Sequence, residues 1–190
     1  MDARGQPVPW FTYPAIEFLE QFDFSRLAVF EFGAGQSTLF WKARAERVVS
    51  VESNASWYAR LRDQVGADVD LTLAETAAKY AGRLGDHDET YDVIVIDGIA
   101  REECCVVAPA KLRHGGMIIL DNAERYPELA RILRDEGLLQ VDMSGFGPVN
   151  GYTWTTSFFF HRAFDFPHRG EGRPARCIGS IPFDHKGRNV

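Results

Sequence analysis

At 190 residues and 21.4 kDa the chain has the size of a single domain, enough to bury roughly 70% of its unfolded surface. Hydrophobic residues at 45% and charged residues at 25% exclude wholesale disorder, and no apolar run approaches the ~20 residues that a membrane-crossing helix needs. A net charge of −6 argues against nucleic acid held by phosphate neutralisation.

Residues 1–26 carry no basic-then-apolar leader pattern. From residue 27 strand-like and helix-like segments alternate, the pattern of an α/β sheet built from crossovers. Residues 27–32 read as a first strand, after which Ser37 and Thr38 are good N-cap types for a helix to about Ala45. Residues 47–52 read as the second strand. Ser53 or Asn54 then caps a helix with Tyr58, Leu61 and Val65 on one face, stopped by Gly66.

Residues 68–73 alternate polar and apolar, which suits a strand near a sheet edge. Residues 93–96 and 117–120 are unbroken apolar runs, expected of central strands covered on both faces. Between them residues 101–113 read as helical, bent or ended near Pro109. A helix with Pro127 in its first turn runs over Leu129, Ile132 and Leu133 to Gly137. Residues 138–143 and 152–160 are then two strands with only a Gly/Pro-containing loop between them, so they must be antiparallel if they pair. The expected fold is one α/β domain over residues 27–160, with five β-α repeats and a closing hairpin. An N-terminal segment (1–26) and a C-terminal tail (161–190) flank it. That tail holds six Lys/Arg against three Asp/Glu, a net of +3, which leaves −9 on residues 1–160.

The most informative stretch is Glu31-Phe32-Gly33-Ala34-Gly35-Gln36-Ser37-Thr38, where the first strand meets the first helix. In open α/β sheets ligands bind outside the carboxyl ends of the strands, at the point where strand order reverses. The second strand ends in Glu52, seventeen residues beyond Gly35 and able to accept hydrogen bonds from both hydroxyls of a ribose. A dinucleotide motif would need a third glycine where Thr38 stands, and Glu31 would repel a pyrophosphate but attract a cation. An acid, a two-glycine turn and a second acid therefore suit a ligand with a ribose, a positive amine and no phosphate. S-adenosylmethionine has these properties.

Glu31-Phe32-Gly33-Ala34-Gly35, Glu52 and residues 91–98, ending Asp97-Gly98, together resemble class I S-adenosylmethionine-dependent methyltransferases. The likeness covers about residues 27–160. It implies a Rossmann-like methyltransferase fold with a seven-stranded, mostly parallel sheet and a C-terminal antiparallel hairpin. Carried over by position, Glu31 would hold the methionine amine, directly or through water. Gly33 and Gly35, with Ser37, Thr38 and Gly98 beside them, would pass under the cofactor, and Glu52 and Ser53 would hold the ribose. The turn at Ala74–Glu75 would contact adenine, and Asp97 would face the methyl group and position the acceptor, with Arg125 and Tyr126 as secondary candidates.

Asp97, Asp121 and Asn122 should meet at one sheet edge and could hold Mg²⁺ as hard oxygen ligands. This partly resembles the metal-dependent catechol and caffeoyl-coenzyme A O-methyltransferases. Those enzymes, however, carry a lysine where this chain has Arg101, their glycine motif is spaced more widely, and they have a longer N-terminal helical region. The competing reading makes Asp121 and Asn122 a helix cap or a cofactor contact.

Trp10, Phe11 and Tyr13 either close over the methyl donor or staple the N-terminal segment to the core. Trp57 and Tyr58 read as packing, His114 lies at the far edge, and His161 and His168 reach the site only if the tail folds back. Cys104, Cys105 and Cys177 build no disulfide framework and adjacent cysteines are not zinc spacing, so they point to reduced thiols in a cytoplasmic protein. The expected activity is S-adenosylmethionine-dependent methyl transfer to a small-molecule acceptor at oxygen. Any lid is short, or comes from residues 161–190 or from a partner subunit in a homo-oligomer. The competing readings are a non-catalytic cofactor-binding scaffold and a nicotinamide-dependent oxidoreductase.

Overall fold

The apolar runs at residues 93–96 and 117–120 lie where such runs are stable, in the middle of a sheet covered on both faces. The computed structural model describes residues 5–86 and 88–170. Seven strands, β1 (Ala28–Phe32), β2 (Arg47–Glu52), β3 (Asp70–Leu73), β4 (Tyr91–Ile96), β5 (Leu112–Asp121), β6 (Leu139–Gly145) and β7 (Trp154–Phe160), form one sheet. Their order is β3-β2-β1-β4-β5-β7-β6. β7 runs antiparallel to β5 and β6, as the missing crossover helix requires; the remaining pairs are parallel. Strand order reverses between β1 and β4, and the ends of these two strands open the cleft described below.

Six helices cover the sheet: α1 (Tyr13–Leu19), α2 (Gln36–Lys42), α3 (Ala55–Val65), α4 (Ala77–Gly82), α5 (Arg101–Val107) and α6 (Pro127–Asp135). Strand residues alternate between two buried clusters. Val29, Val93, Val95, Met117, Ile119 and Phe158 pack against α1, α2 and α3. Phe30, Phe32, Val51, Ile94, Ile96 and Ile118 pack against Tyr80 and Leu84, then Cys104 and Cys105, then Leu129 and Leu133. Both α5 cysteines are fully buried, and Cys177 lies outside the described residues.

Local chemistry moves several boundaries. Gly35, not Ser37 or Thr38, is the residue before the first turn of α2. The Thr38 hydroxyl accepts the Gly35 N–H at 2.8 Å from inside the helix, so the cap is made from within, and the helix closes at Lys42. Asn54 caps α3 by accepting the Trp57 N–H at 2.9 Å, which settles the choice against Ser53. α5 ends at Val107, before Pro109 starts a separate 3₁₀ turn. β5 begins at Leu112, so Arg113 is strand instead of helix and His114 lies within the strand instead of before it. In the hairpin β6 extends further toward the loop, to Gly145, whereas β7 starts two residues later than expected, at Trp154. α1 had no counterpart in the sequence reading, and α4 is the helix that five β-α repeats imply after the third strand, for which no residues were named.

After β7 the chain runs along the sheet edge opposite the carboxyl ends of the parallel strands. His161 donates its N–H to Gly116 O, and Phe164 and Phe166 pack on Phe22. Arg169 then bonds Gln21 O. His114 and His161 lie together there, 4.2 Å between ring centroids, and His168 rests on Phe22. Up to Gly170 the tail therefore leads away from the reversal point. Among the described residues no helix is long and apolar enough to cross a membrane.

Candidate active site

The turn after β1 is built around Gly33. Its φ of +99° belongs to the region that L side chains avoid, and a Cβ there would fall 2.7 Å from Asp97 O and 2.9 Å from Gly98 N. The turns after β1 and β4 thus touch backbone to backbone. Gly33 N–H bonds Val51 O, Asp97 N–H bonds Phe32 O and Ala74 N–H bonds Glu52 O, so the ladder continues past the ends of the strands. Gly35 differs: its backbone is extended, and a Cβ would meet only Trp57 Nε1, at 3.9 Å.

Above these turns lies a cleft of about 290 Å³. From the residues expected to bind a cofactor, Gly33, Gly35, Ser37, Glu52, Ser53, Asp97 and Gly98 line it. Glu52 is oriented by the start of α3, its Oε1 accepting the Ser53 N–H at 2.8 Å and the Asn54 N–H at 2.6 Å.

Glu31 and Thr38 stand behind the glycine turn instead of on the cleft surface. Glu31 is fully buried, and its Oε2 accepts from Thr38 Oγ1 at 2.5 Å and from Ser50 Oγ at 2.9 Å. Its Oε1 has no hydrogen-bond partner. Burial pushes this carboxyl up to about 7, against the pull of the Ser37, Thr38 and Ser50 hydroxyls. The chain from Gly35 N–H through Thr38 to Glu31 couples this acid to the shape of the turn. Glu75 is exposed and does not line the cleft; the turn after β3 meets the site through Ala74.

The expected metal cluster is corrected by Arg101. Its Nη2 donates to Asp97 Oδ1 at 3.0 Å and to Asn122 Oδ1 at 3.4 Å, its Nη1 to Asp121 O, and its Nε to Gly98 O at 3.0 Å. Asp121 Oδ1 is taken by Trp154 Nε1 at 3.1 Å and Thr156 Oγ1 at 2.5 Å. A fixed guanidinium therefore occupies the position a Mg²⁺ would need, and the donor set of Asp97, Asp121 and Asn122 does not fit the metal. No cluster of three metal-ligating side chains occurs among the described residues. Burial raises both carboxyls, and the Asp121 charge adds to the rise at Asp97 while Arg101 opposes it. Ala100 and Asn122, flanking this knot, are the two non-glycine residues with positive φ among the described residues, at 50° and 53°. Such backbone costs about 1–3 kcal/mol and persists where the surroundings impose it. Tyr126 lies 5.2 Å beneath the Arg101 guanidinium, whereas Arg125 is paired with Glu124 at 3.4 Å.

The N-terminal aromatics take different positions. Trp10 lines the cleft and lies 6.2 Å from the Trp57 ring, Phe11 is core, and Tyr13 donates its N–H to Phe146 O. Outside the glycine stretch, three cleft residues were missed from the sequence: Trp57, Tyr80 and Ile99. Trp57 carried a usable signal, since it follows the α3 cap by one turn and Glu52 by five residues. Its Nε1 donates to Ala34 O at 2.7 Å, pinning the glycine turn to α3. Tyr80 carried none.

A sheet ordered β3-β2-β1-β4-β5-β7-β6 with β7 reversed, and a cleft over an acid-glycine turn, define the class I S-adenosylmethionine-dependent methyltransferase fold. Solved structures of that fold superpose on this chain. Precorrin-6y C5,15-methyltransferase from Geobacter metallireducens is 16% identical, with a TM-score of 0.61 over 84% of this chain and 96% of that one. An rRNA methylase from Streptococcus thermophilus is 14% identical, with a TM-score of 0.57 over 78% of this chain and 96% of its own. The N-methyltransferase NodS from Bradyrhizobium japonicum, in complex with S-adenosyl-L-homocysteine, is 12% identical, with a TM-score of 0.56 over 72% and 78%. At these identities the likeness establishes the fold. The sequence matches no family model and no curated protein.

Proposed function

We propose that this protein is an S-adenosylmethionine-dependent methyltransferase that methylates a small-molecule acceptor at oxygen. The observation that carries the proposal is the cleft itself: a backbone-lined floor at Gly33 and Gly35, bordered by Glu52 and Asp97, with the buried acid Glu31 behind it. No lysine or arginine lines it among the described residues, which suits a cationic nucleoside better than a diphosphate.

Bound S-adenosylmethionine supplies an electrophilic methyl group. On this reading Glu52 accepts hydrogen bonds from the ribose hydroxyls, and the Glu31 charge favours the ligand's amine through the glycine turn. Asp97, held by Arg101 through Oδ1, presents its other oxygen to an acceptor hydroxyl. Its raised pKa makes it a stronger base than an ordinary carboxylate, able to take up the proton as the oxygen is methylated. Arg101 positions Asp97 and touches no reacting atom. Most of the rate comes from alignment of acceptor and methyl group in the cleft.

Calorimetric titration with S-adenosylhomocysteine and with NAD is the direct test. Saturable binding of S-adenosylhomocysteine supports the reading, and binding of NAD alone overturns it in favour of an oxidoreductase. Labelled methyl transfer into a metabolite extract then identifies the acceptor. Cofactor binding with no transfer to small molecules would favour a scaffold or a macromolecular acceptor.

A further inference from the structure

Tyr80 lies in α4, between β3 and β4. Its ring is fully buried and packs on Phe32 with 5.7 Å between centroids. It nevertheless lines the cleft, together with Glu52, Asp97 and Gly98. The hydroxyl lies against Gly98, where a built Cβ would fall 1.8 Å from it, so glycine at 98 is what admits the phenol oxygen. That oxygen has no hydrogen-bond partner among the described residues. A phenylalanine would pack against Phe32 equally well, so the fold gives the oxygen nothing to do. The Tyr91 hydroxyl is also buried without a partner, but it lies at the opposite end of β4 and away from the cleft.

Resting on the proposed cofactor, we propose that the Tyr80 hydroxyl donates a hydrogen bond to the nucleoside half of the ligand. Glu52 can satisfy ribose donors, but a purine nucleoside also carries acceptors, the ring nitrogens and the furanose oxygen, which need a donor from the protein. Trp57 cannot serve, because its N–H is already given to Ala34 O. Tyr80 can. Burial, the Cys104 thiol and the Glu52, Glu31 and Asp97 carboxylates raise its pKa, so the proton stays on the oxygen.

The experiment compares wild type with Tyr80→Phe by calorimetry against S-adenosylhomocysteine, with adenosine measured by competition, alongside thermal melts of both ligand-free proteins. The variant should melt no lower than wild type, since it removes an unpaired buried oxygen. It should lose about five- to thirtyfold in affinity for both ligands, one hydrogen bond's worth of binding. Affinities within twofold of wild type for both ligands would overturn the assignment. A loss for S-adenosylhomocysteine alone would overturn it too, because the contact would then lie in the amino-acid half. A wild type that binds neither ligand refutes the cofactor reading itself, and the Tyr80 assignment with it.

Discussion

Arg101 turns back across the start of α5 to hold Asp97, four residues earlier, at 3.0 Å, with 12% of its side chain exposed against 24% for the aspartate. The same guanidinium reaches Asp121 O and Asn122 Oδ1, so one cation ties the end of β4 to the end of β5. Removing it leaves two adjacent carboxylates without a counter-charge.

Arg101→Met should therefore destabilise the protein by about 3 kcal/mol, the scale of breaking a buried ion pair from one side. Arg101→Lys should recover only part of this, because an ammonium cannot fork between the two strand ends. Urea unfolding of the three proteins measures both effects. A loss below about 1 kcal/mol in Arg101→Met would show the knot to be unimportant for the fold.

Methyl transfer should persist in excess chelator, because a guanidinium stands where Mg²⁺ would bind. Added Mg²⁺ should leave the melting temperature unchanged. Loss of activity in chelator, restored by Mg²⁺, would show that Arg101 moves aside for a metal.

Two glycines of one turn should fail differently. Gly33→Ala places a methyl group against the Asp97 and Gly98 backbone at a positive φ, and should cost at least about 2 kcal/mol of stability. Gly35→Ala meets only Trp57 at 3.9 Å and should stay within about 1 kcal/mol of wild type. Its methyl group enters the cleft, however, and should weaken S-adenosylhomocysteine binding tenfold or more. Paired denaturation and calorimetry separate the two; equal behaviour would contradict the geometry.

Glu31 makes stability and binding depend on pH in opposite senses. Its folded-state pKa is raised from 4.5 to about 7, so the native state keeps a proton that the unfolded chain has released. Unfolding free energy is then highest below pH 4.5 as regards this group and falls as pH rises to about 7, by on the order of 3 kcal/mol. A cationic amine ligand favours the ionised form. S-adenosylhomocysteine affinity should therefore increase as pH rises through about 7, with proton release on binding near pH 6.5. Calorimetry in buffers of different ionisation enthalpy reads that proton. In Glu31→Gln both pH dependences should flatten, and a variant that kept them would assign the proton elsewhere.

The sheet and the glycine-turn side of the cleft were legible in the sequence. Central strands announce themselves as unbroken apolar runs, and the hairpin follows from a loop too short for a crossover. Glu31, Gly33, Gly35 and Glu52 sit within a single β-α-β unit, where chain connectivity alone puts strand ends and the intervening turn side by side. The acceptor side was not legible. Whether Asp97 and Asp121 would meet a metal or a cation depended on the direction Arg101 takes from α5, which no periodicity encodes. Tyr80 reached the cleft through the packing of α4 on Phe32, between segments far apart in the chain. Patterns of neighbouring residues specify which face of an element is buried. Where a long side chain ends is decided by whichever surfaces the folded layers bring against it.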